Sequence, residues 1–119
     1  MHEFLADLRN WPRWAVVNVL AVEGGSEAGW WRIDTPDGPA EIRLRPDAAS
    51  GVVDHDFRGG PDDTDIATVP ARVVANGRGA EFLITIFQPA EVGDAAFDHL
   101  LAALDTELAT LKAVLERGH

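Results

Sequence analysis

The C-terminal part of the chain carries the pattern that most constrains the fold. After Pro89, apolar residues recur at helical spacing from Asp94 to Arg117, and Gly118 follows as a stop signal. The stripe contains Phe97, Leu100, Leu101, Leu104, Leu108, Leu111, Val114 and Leu115. A helix of about 24 residues is roughly 36 Å long. This is longer than the helix needs to cover one small sheet face, unless the sheet curls around it. We therefore predict one long amphipathic helix, with Asp94 as its N-cap and with Leu104 and Leu108 buried against the sheet.

Turn signals divide the preceding part of the chain into short segments. Glycine-rich and proline-rich turns separate runs of β-branched and apolar residues. Six of these runs are expected to be strands, at 14–22, 28–34, 39–45, 52–58, 66–75 and 80–88. In the third run, Glu41, Arg43 and Arg45 alternate with Ile42 and Leu44, so one face of the sheet should be polar.

The first ten residues predict a short helix. Phe4, Leu5 and Leu8 lie on one helical face, and Asn10 and Pro12 end the pattern after about two turns. Strands followed by one long helix are typical of an α+β fold, here an antiparallel curled sheet of about six strands gripping the C-terminal helix. The length of 119 residues, without repeat or linker, predicts a single domain over 1–119.

Composition argues against several classes of function. Twenty acidic and ten basic residues give a net charge of −10, so we expect no nucleic-acid partner. The chain contains no cysteine, which excludes disulfides and thiolate chemistry and fits a reducing compartment. It has no apolar run of membrane-spanning length and no signal-peptide pattern at its start. We expect a cytoplasmic protein without membrane insertion.

Four segments resemble those of a known family. They are FLADLRNWPRW at 4–14, GVVDH at 51–55, VPARVVANG at 69–77 and LATLKAVLE at 108–116. In this order and spacing they resemble the START-like, helix-grip superfamily, and within it the SRPBCC or polyketide cyclase/dehydrase-like group. The resemblance covers nearly the whole chain. It implies an apolar cavity between sheet and C-terminal helix that binds lipids, sterols, polyketides or other hydrophobic molecules.

One feature of the family has no counterpart here. The family usually opens with an additional strand, which lies beside the last strand of the sheet, here 80–88. The expectation is that the native start lies upstream of Met1 or that a partner subunit covers the edge. We expect a homodimer, with the edge strand or the first helix near Phe4 and Leu8 in its interface.

Two residues are candidates for catalysis. His55 lies between Asp54 and Asp56, whose side chains face away from it in a strand. Its imidazole could act as a general acid or base, or it could simply fill polar space. Arg72 could bind a ligand carboxylate, or it could point outward and pair with an acidic residue. Catalytic residues therefore remain unknown at this stage.

The ligand-binding residues that we expect are Trp14, Trp30, His55, Arg72, Phe82, Leu101, Leu104 and Leu108. Adjacent Trp30 and Trp31 should point to opposite faces if both lie in one strand. The aspartates between 54 and 65 lack the spacing of a calcium loop, and the histidines lack that of a zinc site. We expect no metal and no cofactor.

Three functions compete. The leading one is binding of a small hydrophobic ligand, such as a lipid, sterol or polyketide, between sheet and helix. The first alternative is a polyketide aromatase/cyclase- or dehydratase-like enzyme, in which His55 or Arg72 polarises a carbonyl group. The second is a non-catalytic interaction module with a filled cavity. The volume and lining of the cavity should discriminate among them.

Overall fold

The structure, a computed structural model, describes residues 1–24 and 29–117. Its elements are α1 (His2–Leu5), a 3-10 helix (Leu8–Arg13), β1 (Ala21–Glu23), β2 (Trp31–Thr35), β3 (Gly38–Asp47), β4 (Val52–Arg58), β5 (Ala67–Val69), β6 (Ala71–Asn76), β7 (Gly79–Ile84) and α2 (Asp94–Glu116). Ala28, the predicted start of the second strand, and Gly118, the predicted helix stop, lie outside the described residues.

The strands form one antiparallel sheet in the order β1-β2-β3-β4-β6-β7, and β5 pairs with β4. The sheet is curled, with a short helix before it and a C-terminal helix of 23 residues after it, which confirms the predicted α+β fold. None of the helices in the described part of the chain is both long and apolar enough to span a membrane.

The predicted strand at 66–75 is split at Pro70 into β5 and β6. Both halves pair with β4 in one register, with Val69 opposite His55 and Arg72 opposite Val52. At the break, the Ala71 N–H donates instead to the Asp54 carboxylate, at 2.9 Å. The side chain thus replaces a missing backbone contact.

The predicted strand at 14–22 is wrong except for its end. The chain from Trp11 to Val19 turns in a helical manner, since Ala15 N–H donates to Trp11 O and Val19 N–H to Ala15 O. The rings of Trp11 and Trp14 are both buried, with centroids 4.9 Å apart. Burial of side chains three positions apart needs a helical turn, so core packing overrides the β-propensity of this apolar run.

Other predicted boundaries also differ from the structure. α1 ends at Leu5 and a separate 3-10 helix follows, whose N-cap Asp7 accepts a hydrogen bond from Arg9 N–H. β7 ends at Ile84 rather than at residue 88. The N-cap of α2 is Gly93, and Asp94 is the first residue of the helix.

The register gives the sheet an inner and an outer face. The inner face is the one that bears Ile33, Ile42, Val53 and Ala71, because these residues are buried in the core. They pack with the N-terminal segment and with two residues of α2 in one cluster that also contains Phe4, Leu5, Leu8, Trp11, Trp14, Ala15, Val19, Leu111 and Val114. The outer face bears Glu41, Arg43, Arg45, Asp56 and Arg58, as the alternation predicts.

Only the C-terminal half of α2 is firmly buried. Leu111 and Val114 are 3% and 5% exposed, whereas no residue of 94–106 is buried. Leu104 and Leu108, which were predicted to be buried, are half-buried, and Leu100 is 41% exposed. The helix is longer than the core beneath it, so its first turns have less to pack against.

This burial gradient predicts a difference between two leucine truncations on α2. Leu111→Ala should lower the free energy of unfolding by about 2–5 kcal/mol, because it leaves a cavity in the core. Leu100→Ala should change it by no more than about 0.5 kcal/mol. Urea unfolding of both variants measures the two values. Equal losses would show that both ends of the helix are packed alike.

Candidate functional site

His55 lies inside the core rather than at a surface. Its position in β4 directs it to the inner face, where it is 2% exposed. The imidazole packs edge-on against Trp11, with centroids 4.9 Å apart, and against Phe57, at 5.4 Å. Its Nδ1 lies 3.1 Å from the Val53 carbonyl oxygen, which can only accept, so Nδ1 carries a proton in this contact.

Burial controls the ionisation of this ring. Desolvation lowers the pKa of His55 below its ordinary value, and the Val53 carbonyl and the charges of Asp54 and Asp56 offset this effect only in part. The ring is therefore held in its neutral form at pH 7. A substrate would have to displace Trp11 or Phe57 to reach it.

The carboxylates beside His55 face away from it, as predicted. Asp56 lies on the outer face and accepts hydrogen bonds from Arg43, Arg45 and Thr68. Burial by itself would raise the pKa of Asp56, but these hydrogen bonds outweigh it and the pKa lies below its usual range. Asp56 is therefore part of a charged network, and it does not form a catalytic pair with the histidine.

Arg72 and Trp30 are placed on the outer face. Arg72 is exposed, and its Nε donates to the Ser50 carbonyl oxygen at 3.3 Å. Trp30 is 4% exposed, with the guanidinium carbons of Arg43 and Arg58 at 4.5 and 4.0 Å from the centre of its ring. Neither residue shares a cavity with His55.

The side chain of Trp31 points to the face opposite that of Trp30, as expected for adjacent residues. It lies opposite Ile42 on the inner face and packs against the core, where it is half-buried. Trp30 and Trp31 therefore occupy opposite faces at the start of β2.

Of the remaining predicted ligand residues, Trp14 follows the 3-10 helix, Phe82 lies in β7 and three leucines lie on α2. Trp14 is 2% exposed and its ring meets that of Phe82 edge-on, with centroids 6.1 Å apart. Within the described residues, the indole Nε1 of Trp14 has no hydrogen-bond partner. Phe82 is half-buried, as are Leu101, Leu104 and Leu108 on α2.

A cavity of about 490 Å³ lies elsewhere on the inner face. We call it the inner-face groove. One wall is the N-terminal segment 6–9, and the other is formed by inner-face residues of β2 and β3. Its lining residues are Ala6, Asp7, Leu8, Arg9, Gly29, Trp31, Leu44 and Pro46. None of the predicted ligand residues belongs to this set.

The groove lining combines apolar side chains with two charged residues, which neutralise each other. The Arg9 guanidinium donates to the Asp7 carboxylate at 2.8 and 2.9 Å. Hydrogen bonding to Arg9 lowers the pKa of Asp7, although burial opposes the effect. Trp31 and Leu44 could have been assigned to this face from their alternation with polar neighbours, but nothing in the sequence places segment 6–9 above them.

A second cavity, of about 350 Å³, lies at the end of the sheet near β1. It is bounded by Gly24, Arg32, the residues 39–41 and the loop 59–61. It includes loop glycines and prolines, and none of the predicted ligand residues.

The acidic loop after β4 has a structural role in the chain. Asp63 accepts hydrogen bonds from the N–H groups of Gly59 and Asp65, at 2.8 and 2.9 Å. These two backbone contacts lower the pKa of Asp63. Within 1–24 and 29–117, no three histidine or acidic side chains form a group that could hold a metal ion.

Comparison with known proteins does not assign a family. No protein-family model matches the chain, and no curated protein is significantly similar to it.

The buried imidazole predicts a pH-dependent stability. As pH falls below about 6.5, the unfolded state binds a proton on His55 before the folded state does, so stability is lost towards lower pH. The slope from this one group approaches about 1.4 kcal/mol per pH unit. His55→Phe should remove this part of the pH dependence, whereas His99→Gln, at an exposed position of α2, should retain it. Urea unfolding between pH 5 and 8 provides the test, and identical profiles for wild type and His55→Phe would contradict it.

Proposed function

We propose that this protein binds a small hydrophobic ligand on the inner face of its sheet. The observation that carries the proposal is the inner-face groove, whose volume of about 490 Å³ falls in the range of small-molecule sites. Its floor and walls include Trp31, Leu44 and Pro46, which offer apolar surface to a ligand. Burial of that surface with a ligand would contribute to the binding free energy.

The ion pair at the groove suggests the form of the ligand. Arg9 is largely exposed, since 74% of its side chain is accessible, and it is held in place by Asp7. Asp7 occupies Nε and Nη2 of this guanidinium, which leaves Nη1 to donate to a polar or anionic group of a ligand. We therefore propose a ligand with an apolar body and one polar or anionic end, such as a fatty acid or a polyketide-like aromatic compound.

The sequence resemblance supports the same function but a different position. The antiparallel sheet and C-terminal helix are compatible with a helix-grip fold, and membership of the SRPBCC group is part of this proposal. The resemblance implies a site between sheet and α2, near Phe82, Leu101 and Leu104. These half-buried side chains define the second position that an experiment must distinguish from the groove.

The two alternatives differ in what supports them. The enzyme alternative relied on His55 or Arg72, which lie on opposite faces of the sheet. His55 is also covered by the aromatic rings of Trp11 and Phe57. The interaction module is favoured by a separate observation, the edge of β7 that pairs with no other strand of 1–24 and 29–117. A cytoplasmic location and a homodimer complete the proposal, supported by the absence of cysteine and by that edge.

Binding is tested with a fluorescent anilinonaphthalene sulfonate dye and with palmitate as competitor. The emission of Trp31 should respond most, because Trp11, Trp14 and Trp30 are buried. Trp31→Ala removes a wall of the groove and Ala6→Phe fills it, so each should weaken dye binding by about tenfold or more. Leu104→Ala, on α2, is the matched control and should leave the affinity unchanged.

The results for these variants distinguish binding in the groove from binding under α2 and from no binding. Loss of binding only in Leu104→Ala would place the site under α2 and contradict the groove. A wild-type protein that binds neither dye nor palmitate at millimolar concentration would contradict the proposed function.

A further inference from the structure

The two edge strands of the sheet, β1 and β7, differ in how far their backbone groups are available to pair with another strand. β1 has only three residues and ends in Glu23, features that discourage pairing with another chain. β7, at the opposite end, has six residues and pairs only with β6 among the described residues. Its single charged residue is Glu81, and it contains no proline.

The β6–β7 register shows which backbone groups of β7 point outward. Thr85 N–H donates to Pro70 O at 2.9 Å, which makes this a hydrogen-bonded pair. In an antiparallel ladder such pairs alternate, so Glu81 and Leu83 also direct their groups towards β6. Ala80, Phe82 and Ile84 therefore direct their N–H and C=O groups to the open edge. These three residues supply six backbone groups for a further strand.

Apolar side chains flank this edge. Leu83, on the outer face, is 57% exposed, and Phe87, which follows the strand, is 67% exposed. An edge strand with apolar neighbours and one charge is a template for β-pairing.

We propose that β7 pairs with β7 of a second copy, antiparallel across a twofold axis at Phe82. In this register Ala80 lies opposite Ile84 of the second copy, and all six outward groups form hydrogen bonds. Glu81 then lies opposite Leu83 of the second copy. A register centred on Glu81 would instead oppose two like carboxylates, which is unfavourable.

The second copy fits this edge because the strand is complementary to itself. An antiparallel twofold pairing brings each outward donor to an outward acceptor and places no like charges opposite each other. Phe4 and Leu8, the alternative interface expected from the sequence, are each 3% exposed and lie in the core. They are therefore not available as an interface, and the edge strand remains.

The dimer and the ligand site can be tested separately. The groove lies at β2 and β3, whereas the proposed interface lies at β7, beyond β4 and β6 in the sheet order. Loss of one therefore does not require loss of the other.

Light scattering on a size-exclusion column at tens of micromolar tests the assembly. Wild type should have twice the monomer mass of 12.9 kDa. Ala80→Pro removes an outward N–H but no β6–β7 hydrogen bond, so it should halve the measured mass while the circular dichroism spectrum is unchanged. A monomeric wild type, or a folded Ala80→Pro variant that stays dimeric, would overturn the proposal.

Cysteine cross-linking tests the register and does not depend on the proline variant. The chain has no cysteine of its own, so a single introduced thiol reports on one position. Phe82→Cys should form a disulfide-linked dimer on oxidation, because residue 82 lies opposite itself. The matched variant Ala80→Cys lies opposite Ile84 and should remain uncross-linked. Cross-linking of Ala80→Cys in preference to Phe82→Cys would contradict the register.

Discussion

A buried carboxylate determines where the C-terminal helix lies. Glu107, 3% exposed, accepts hydrogen bonds from the N–H groups of Val17 and Asn18 at 3.1 and 2.9 Å, and from the Asn18 side-chain amide at 3.1 Å. Burying a carboxylate is costly unless donors replace its lost hydration. Here the bend after the 3-10 helix supplies three donors. These hydrogen bonds therefore fix the bend and α2 relative to each other. Leu111 and Val114, which come after Glu107 on α2, are buried in the core.

This attachment has a consequence for the inner face of the sheet. Because α2 is fixed through its C-terminal half, its apolar stripe from Phe97 to Leu108 is only partly covered. The N-terminal segment covers the middle of the inner face, where Trp11 meets His55. Between that segment and β2–β3 the groove stays open. The inner face is thus filled at its centre and accessible at its side, while His55 stays buried.

Local periodicity was a good guide to the type and extent of several elements. β4 was predicted at 52–58 and lies at Val52–Arg58, because its alternation follows two faces of one sheet. The long helix and the opposite orientation of Trp30 and Trp31 follow from the same kind of argument. The predicted strand at 14–22 is wrong because Trp14 turns into the core to pack against Trp11. β-propensity carries no information about such a contact.

The candidate site was harder to predict than the fold. Glu107 stands on the apolar stripe of α2, and its partners are 89 and 90 positions away in the chain, so no local pattern reveals them. The face taken by Arg72 depends on how β6 pairs with β4, and the groove depends on the path of segment 6–9. Such properties arise from tertiary contacts between distant residues.

The central claim is that α2 is anchored through its C-terminal half and leaves the first half of its stripe partly open. Amide hydrogen exchange along the helix, measured residue by residue, tests it most directly. Protection should be high from Glu107 to Val114 and clearly lower from Phe97 to Leu104, even at helix positions that are hydrogen-bonded equally well. Uniformly high protection along the whole helix would contradict the claim, because it would mean that both halves are packed to the same degree.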